Sequence, residues 1–147
     1  MAPRTKWMMV ALLALLPAVA SALDYRSVAV PRATMLDAPS ASAKKRFVVT
    51  QYYPVEVIVN LNQWVKVRDK TGELAWMEAQ HLSEKRTLLV LDSTDVLAAA
   101  EASAAVVFRV EKDVVLEWVQ APVKGWVKVK HKDGLTGFIP VEKVWGL

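Results

Sequence analysis

The sequence predicts an all-β protein, two tandem small β-barrels behind a cleaved signal peptide. Three observations carry this prediction. The first is a repeat. Trp64-Val65-Lys66-Val67-Arg68, Gly72 and Trp76 return as Trp126-Val127-Lys128-Val129-Lys130, Gly134 and Phe138, each matched pair 62 residues apart. A fixed offset between non-identical copies marks duplicated structural units. The second is alternation: Val65 and Val67 point one way and Trp64, Lys66 and Arg68 the other, as successive residues of a half-buried strand do. The third is punctuation. Asp69-Lys70-Thr71-Gly72 and His131-Lys132-Asp133-Gly134 are polar and end in glycine, which fits hairpin turns between adjacent strands.

Taken in order, the chain begins with Arg4 and Lys6 ahead of an apolar run over residues 7–16, closed by Pro17 and followed by Ala20-Ser21-Ala22. A basic start, a short apolar segment and a small-x-small site describe a signal peptide. The run is well short of the ~20 residues of a spanning helix. Residues 1–22 are therefore expected to be removed, with Leu23 as the new terminus and Ser21 as second choice. There are no cysteines, which excludes disulfides, a lipoprotein anchor and thiol catalysis, and fits a bacterial periplasmic location. The precursor has 19 basic and 15 acidic residues. Removal of Arg4 and Lys6 takes the formal charge from +4 to +2, too little to argue for nucleic acid as a partner.

The remaining chain divides into residues 23–84 and 85–147, each expected to form a five-stranded, mostly antiparallel barrel. Residues 54–59 and 113–119 are β-branched runs and read as strands. They are followed by the repeated strands at 64–68 and 126–130, and after the turns by residues 73–77 and 135–139. Residues 34–44 contain Pro39 and read as a loop. The alanine-rich stretch 95–105 occupies the same place in the second copy and is expected to be a loop or a single helical turn. Residues 82–91 join the units and are expected to be ordered, with 86–91 strand-like.

Gly125-Trp126-Val127-Lys128-Val129 and Gly134-Leu135-Thr136-Gly137-Phe138-Ile139-Pro140 resemble the second half of an SH3 domain. The pair of units resembles the bacterial SH3-like domains of exported proteins. Met35-Leu36-Asp37-Ala38-Pro39-Ser40 is similar to their opening motif, and Val144-Trp145-Gly146-Leu147 to the end of one proteobacterial group. The second copy departs from the pattern at Val96-Leu97-Ala98-Ala99-Ala100-Glu101, which lacks the Pro and any Gly. SH3 domains that grip polyproline use a Trp, a downstream Pro and a Tyr soon after, flat walls for a preformed helix. Here Trp126 and Pro140 match, but Lys143 stands at the Tyr position. In the first copy Trp64 matches, with Glu78 and His81 at the other two positions. Neither groove is a complete polyproline clamp.

What remains is an outward Trp beside outward cations. The candidate ligand-binding residues are Trp64, Lys66, Arg68, Trp126, Lys128, Lys130 and Pro140. Indole faces stack on sugar C–H groups, and Lys or Arg meets carboxylates; peptidoglycan offers both, and the resemblance implies cell-wall binding. Packing against the barrel or the other unit is the alternative for either Trp. Trp76 and Phe138 read as structural, Trp118 and Trp145 as core or inter-unit contacts. No catalytic constellation is visible: the only histidines, His81 and His131, lack metal-ligand spacing, and no phosphate-binding glycine loop exists. No catalytic residue, metal or cofactor is expected. The expected function is non-catalytic binding in the periplasm, to peptidoglycan or an envelope protein, with no nucleic acid and no stable membrane insertion after signal cleavage. The alternative is a protein-interaction adaptor with no glycan ligand.

Overall fold

The computed structural model describes residues 23–147; the expected signal peptide lies outside them. The first unit comprises β1 (Tyr25–Val28), β2 (Arg32–Leu36), β3 (Lys45–Thr50), β4 (Pro54–Asn60), β5 (Trp64–Arg68), β6 (Leu74–Glu78) and β7 (Leu82–Ser83). The second comprises β8 (Thr87–Val90), β9 (Thr94–Leu97), β10 (Val106–Val110), β11 (Val115–Val123), β12 (Trp126–Lys130), β13 (Thr136–Pro140) and β14 (Val144–Trp145). Strand order is β3-β2-β6-β5-β4-β1-β7 in the first sheet and β10-β9-β13-β12-β11-β8-β14 in the second. These are the same topology, element for element. A single 3-10 turn precedes the last strand of each, Ala79–His81 and Val141–Lys143.

Each sheet closes over its own core. Val28, Ala33, Met35, Val55, Val65, Val67, Ala75 and Met77 form one buried cluster, with contributions from strands far apart in the sheet order. Only a strongly curled sheet brings those faces together. Leu88, Val90, Val96, Val110, Leu116, Val127, Val129, Ile139 and Val144 form the other. Val65, Val67, Val127 and Val129 are fully buried, as the alternation predicts.

Both glycine-ended turns are hairpins with the same bonds. Asp69 N–H donates to Glu73 O and His131 N–H to Leu135 O, at 3.0 and 2.8 Å. Gly72 and Gly134 have φ of 88° and 95°, a backbone conformation that other residues adopt at a cost.

Each sheet has seven strands, two more than the sequence reading assigns. Residues 34–36 and 95–97 are strand rather than loop, and the strand over 86–91 is not a linker but the first strand of the second unit. The edge strands β3 and β10 were not anticipated. Most of their residues face solvent, so no alternation records their pairing.

The units meet through buried polar groups and aromatic rings. The Ser27 hydroxyl donates to Lys85 O at 2.7 Å and the Thr87 hydroxyl to Tyr52 O at 2.6 Å. The Arg86 guanidinium lies 4.3 Å from the Trp118 ring and 5.4 Å from Tyr25, and donates to Gly146 O. Trp145 packs edge-on against Tyr25 at 5.2 Å. Trp145 is thus spent at the junction, while Trp118 packs on the second unit's core and against Arg86, its indole N–H donating to Gln120 O. Burial raises the Tyr25 pKa, with the nearby Glu56 carboxylate adding to the effect.

Candidate functional site

Antiparallel pairing decides what stands beside each outward residue. On β5 and β6, Trp64 lies opposite Glu78, Lys66 opposite Trp76 and Arg68 opposite Leu74. On β12 and β13, Trp126 lies opposite Pro140, Lys128 opposite Phe138 and Lys130 opposite Thr136. Directly opposed side chains are close enough to interact. Lys66 Nζ stands 5.8 Å from the Trp76 ring centre and Lys128 Nζ 5.9 Å from that of Phe138, the outer limit of cation–π attraction. Neither lysine makes an ion pair among the described residues. Each unit thus presents a strip in which a lysine has one aromatic opposite and another two residues before it on its own strand. In the first unit these are Trp64, Lys66 and Trp76; in the second they are Trp126, Lys128 and Phe138. All six are half-buried.

The strips differ at one end. Beside Trp64 is a groove of about 360 Å³ lined by Asn62, Gln63, Glu78, Ala79 and Gln80. Glu78 accepts a hydrogen bond from Gln80 Nε2 at 2.6 Å, with His81 Nε2 at 3.5 Å. In the second unit Pro140 takes the place of that carboxylate, and the chain enters β12 through a tight Lys124-Gly125 turn with φ of 51° and 85°.

Two of the expected ligand residues do not belong to these strips. Arg68 donates through Nε and a terminal nitrogen to the two oxygens of Glu56, at 2.8 and 2.9 Å. Glu56 is 6% exposed, and a carboxylate so placed needs its partner. The guanidinium is held as part of the sheet, and its side-chain hydrogen bonds to Glu56 raise its pKa. The cross-strand counterpart in the second unit is Glu117 opposite Lys130, but Glu117 approaches Lys85 instead, at 3.6 Å. Lys130 lines the cleft between the units and is not grouped with Trp126. Trp64, Lys66, Trp126 and Lys128 lie on the face that the alternation gives them, and Pro140 stands opposite Trp126.

A family model described as bacterial SH3 domain matches the chain twice, at residues 29–84 and 94–146. The chain belongs to the bacterial SH3 domain family. Each match spans nearly all of one sheet, so the two SH3 units are tandem copies within one chain. No curated protein is significantly similar to the sequence. Among solved structures, NlpC2 from Trichomonas vaginalis is similar at 12% identity and a TM-score of 0.39, over 84% of this chain and 48% of that one. An NlpC/P60 family protein from Bacillus cereus is similar at 13% identity and a TM-score of 0.39, over 82% of this chain and 55% of that one. The tandem SH3 chain therefore spans about half the length of these proteins.

Sequence reasoning missed Trp76 and Phe138 as members of the strips. The offset from Lys66 to Trp76 equals that from Lys128 to Phe138, and hairpins centred on the two glycine turns put each pair in register. That signal was present but was read only as structure. Among the described residues, no group of three or more His, Asp or Glu side chains gathers to hold a metal ion, and no helix is long and apolar enough to cross a membrane.

Proposed function

We propose that this tandem bacterial SH3 protein is a non-catalytic binding module of the cell envelope, exported to the periplasm, with peptidoglycan as its ligand. The observation that carries this reading is the repeated aromatic–lysine–aromatic strip. Two copies of one surface, on barrels of identical topology, suit a polymer that repeats along its length, because linked sites raise each other's effective concentration. Indole and phenyl faces stack on sugar rings, and unpaired lysines meet the carboxylates of attached peptides. The Glu78 carboxylate beside Trp64 adds an acceptor for sugar hydroxyls.

Co-sedimentation with purified sacculi tests it. Trp126→Ala and Lys128→Glu should each weaken retention more than they lower folding stability, and the Lys128→Glu variant should lose most of its salt sensitivity, since exposed cations act mainly through screened attraction. Wild type and Trp126→Ala sedimenting equally, both at background, would reject the glycan reading. Protein recovered from the same cells should lie in the periplasmic fraction and begin at Leu23; intact Met1 in the cytoplasm would reject export.

A second reading, a protein-interaction adaptor, is favoured by the open edge of the first sheet. On β3, Phe47 and Val48 are 41% and 63% exposed, and an uncovered edge strand is a template for an added strand from a partner.

A further inference from the structure

Between the two units lies a cleft of about 600 Å³, within the size range of small-molecule sites. Duplication places two equivalent turns at it. Tyr52 and Asp113 each precede the fourth strand of their unit, with φ of 71° and 68°. Tyr52 N–H donates to Val28 O and Asp113 N–H to Val90 O, both at 2.8 Å, and both residues line the cleft. Aspartate tolerates left-handed backbone, whereas a bulky tyrosine there is a genuine outlier. The first unit therefore holds an aromatic ring in a conformation that Asn, Asp or Gly adopts more cheaply. Tyr52 stays 44% exposed, with Lys85 Nζ 4.8 Å above its ring. Strain retained beside a cavity points to a use for the side chain.

The charges of the cleft do not cancel. Asp113 pairs with Lys70 across the junction, and Glu117 with Lys85. Lys130 and Lys132 line the same cleft and make no ion pair among the described residues. Two uncompensated cations therefore stand in a cavity that also has an aromatic wall.

We propose that this cleft binds a small organic dianion, two carboxylates on a compact body. The body packs on the Tyr52 ring and the carboxylates meet Lys130 and Lys132. The site is separate from the outer strips and does not depend on sacculus binding. Calorimetric titration of the full chain with N-acetylglutamate, its diamide and inorganic phosphate tests it. N-acetylglutamate should bind, with the diamide and phosphate at least roughly tenfold weaker. The Lys130→Gln/Lys132→Gln double variant, folded by circular dichroism, should lose roughly tenfold or more. Tyr52→Asn should raise Tm while weakening binding, because it releases strain and removes the wall. The proposal is overturned by absence of saturable binding, by phosphate or the diamide binding as tightly as the dicarboxylate, by unchanged affinity in the lysine variant, or by a Tm drop in Tyr52→Asn.

Discussion

At the scale of single residues, identical positions in the two copies do different work. Arg68 and Lys130 stand 62 positions apart, yet one completes a bidentate pair with a buried carboxylate and the other is free at a cleft. Arginine's planar fork suits the first task and a single ammonium does not. Arg68→Ala leaves Glu56 buried without its partner, and is expected to lower the thermal midpoint clearly more than Lys66→Ala or Lys130→Ala. Equal small losses in all three would show that Arg68 is an ordinary solvated cation. Alternation made the buried valines and the outward Trp and Lys legible in the sequence. It did not reveal Arg68's commitment, because its partner sits on another strand whose register contains a bulge between Val57 and Val59. No sequence spacing encodes that.

At the scale of elements, the hairpins were the most legible part of the chain. Their turn chemistry is local, and the Asp69 side chain accepts bonds from the Thr71 and Glu73 amides within its own turn. The short strands β2 and β9 were read as loop because four or five residues of mixed polarity give no measurable period. One of them sets a tight constraint. A Cβ on Gly137 of β13 would stand 2.7 Å from Leu97 O on β9, and backbone cannot easily yield. The first copy has Ala75 at this position, 3% exposed, so the two barrels differ in how closely these strands approach. Gly137→Ala should destabilise the protein by about 1–3 kcal/mol through overpacking, read as a shift in urea midpoint with little change in slope. A neutral result would mean that β9 and β13 separate at little cost.

At the scale of the whole molecule, the junction joins two barrels through Arg86 and Trp145 on Tyr25, and through the contact of Lys70 with Asp113. The duplication was legible from the 62-residue offset. Of the junction only Trp145 was legible, as a core or inter-unit contact; Tyr25, Ser27, Arg86 and Thr87 come from the first strands of the two units and the connection between them, outside the repeated motif. The Lys70 hydrogen bond holds the Asp113 pKa below its ordinary value of 3.8. A carboxyl with a depressed folded-state pKa contributes stability that is present above the unfolded value and is lost as pH falls through the folded one. Stability should therefore decline as pH drops below about 4, modestly because Asp113 is largely exposed. Lys70→Met should flatten that part of the profile in denaturant titrations. An unchanged slope would remove this contact from the account of the junction.

The central claim is that two matched aromatic–lysine strips, one on each barrel, form the ligand surface. Amide and side-chain NMR shifts on titration with soluble peptidoglycan fragments test it most directly. The account predicts shifts at Trp64, Lys66 and Trp76 and at Trp126, Lys128 and Phe138, with the buried valines between them little moved. Shifts confined to the open edge at Phe47 and Val48, or none at either strip under saturating fragment, would contradict it.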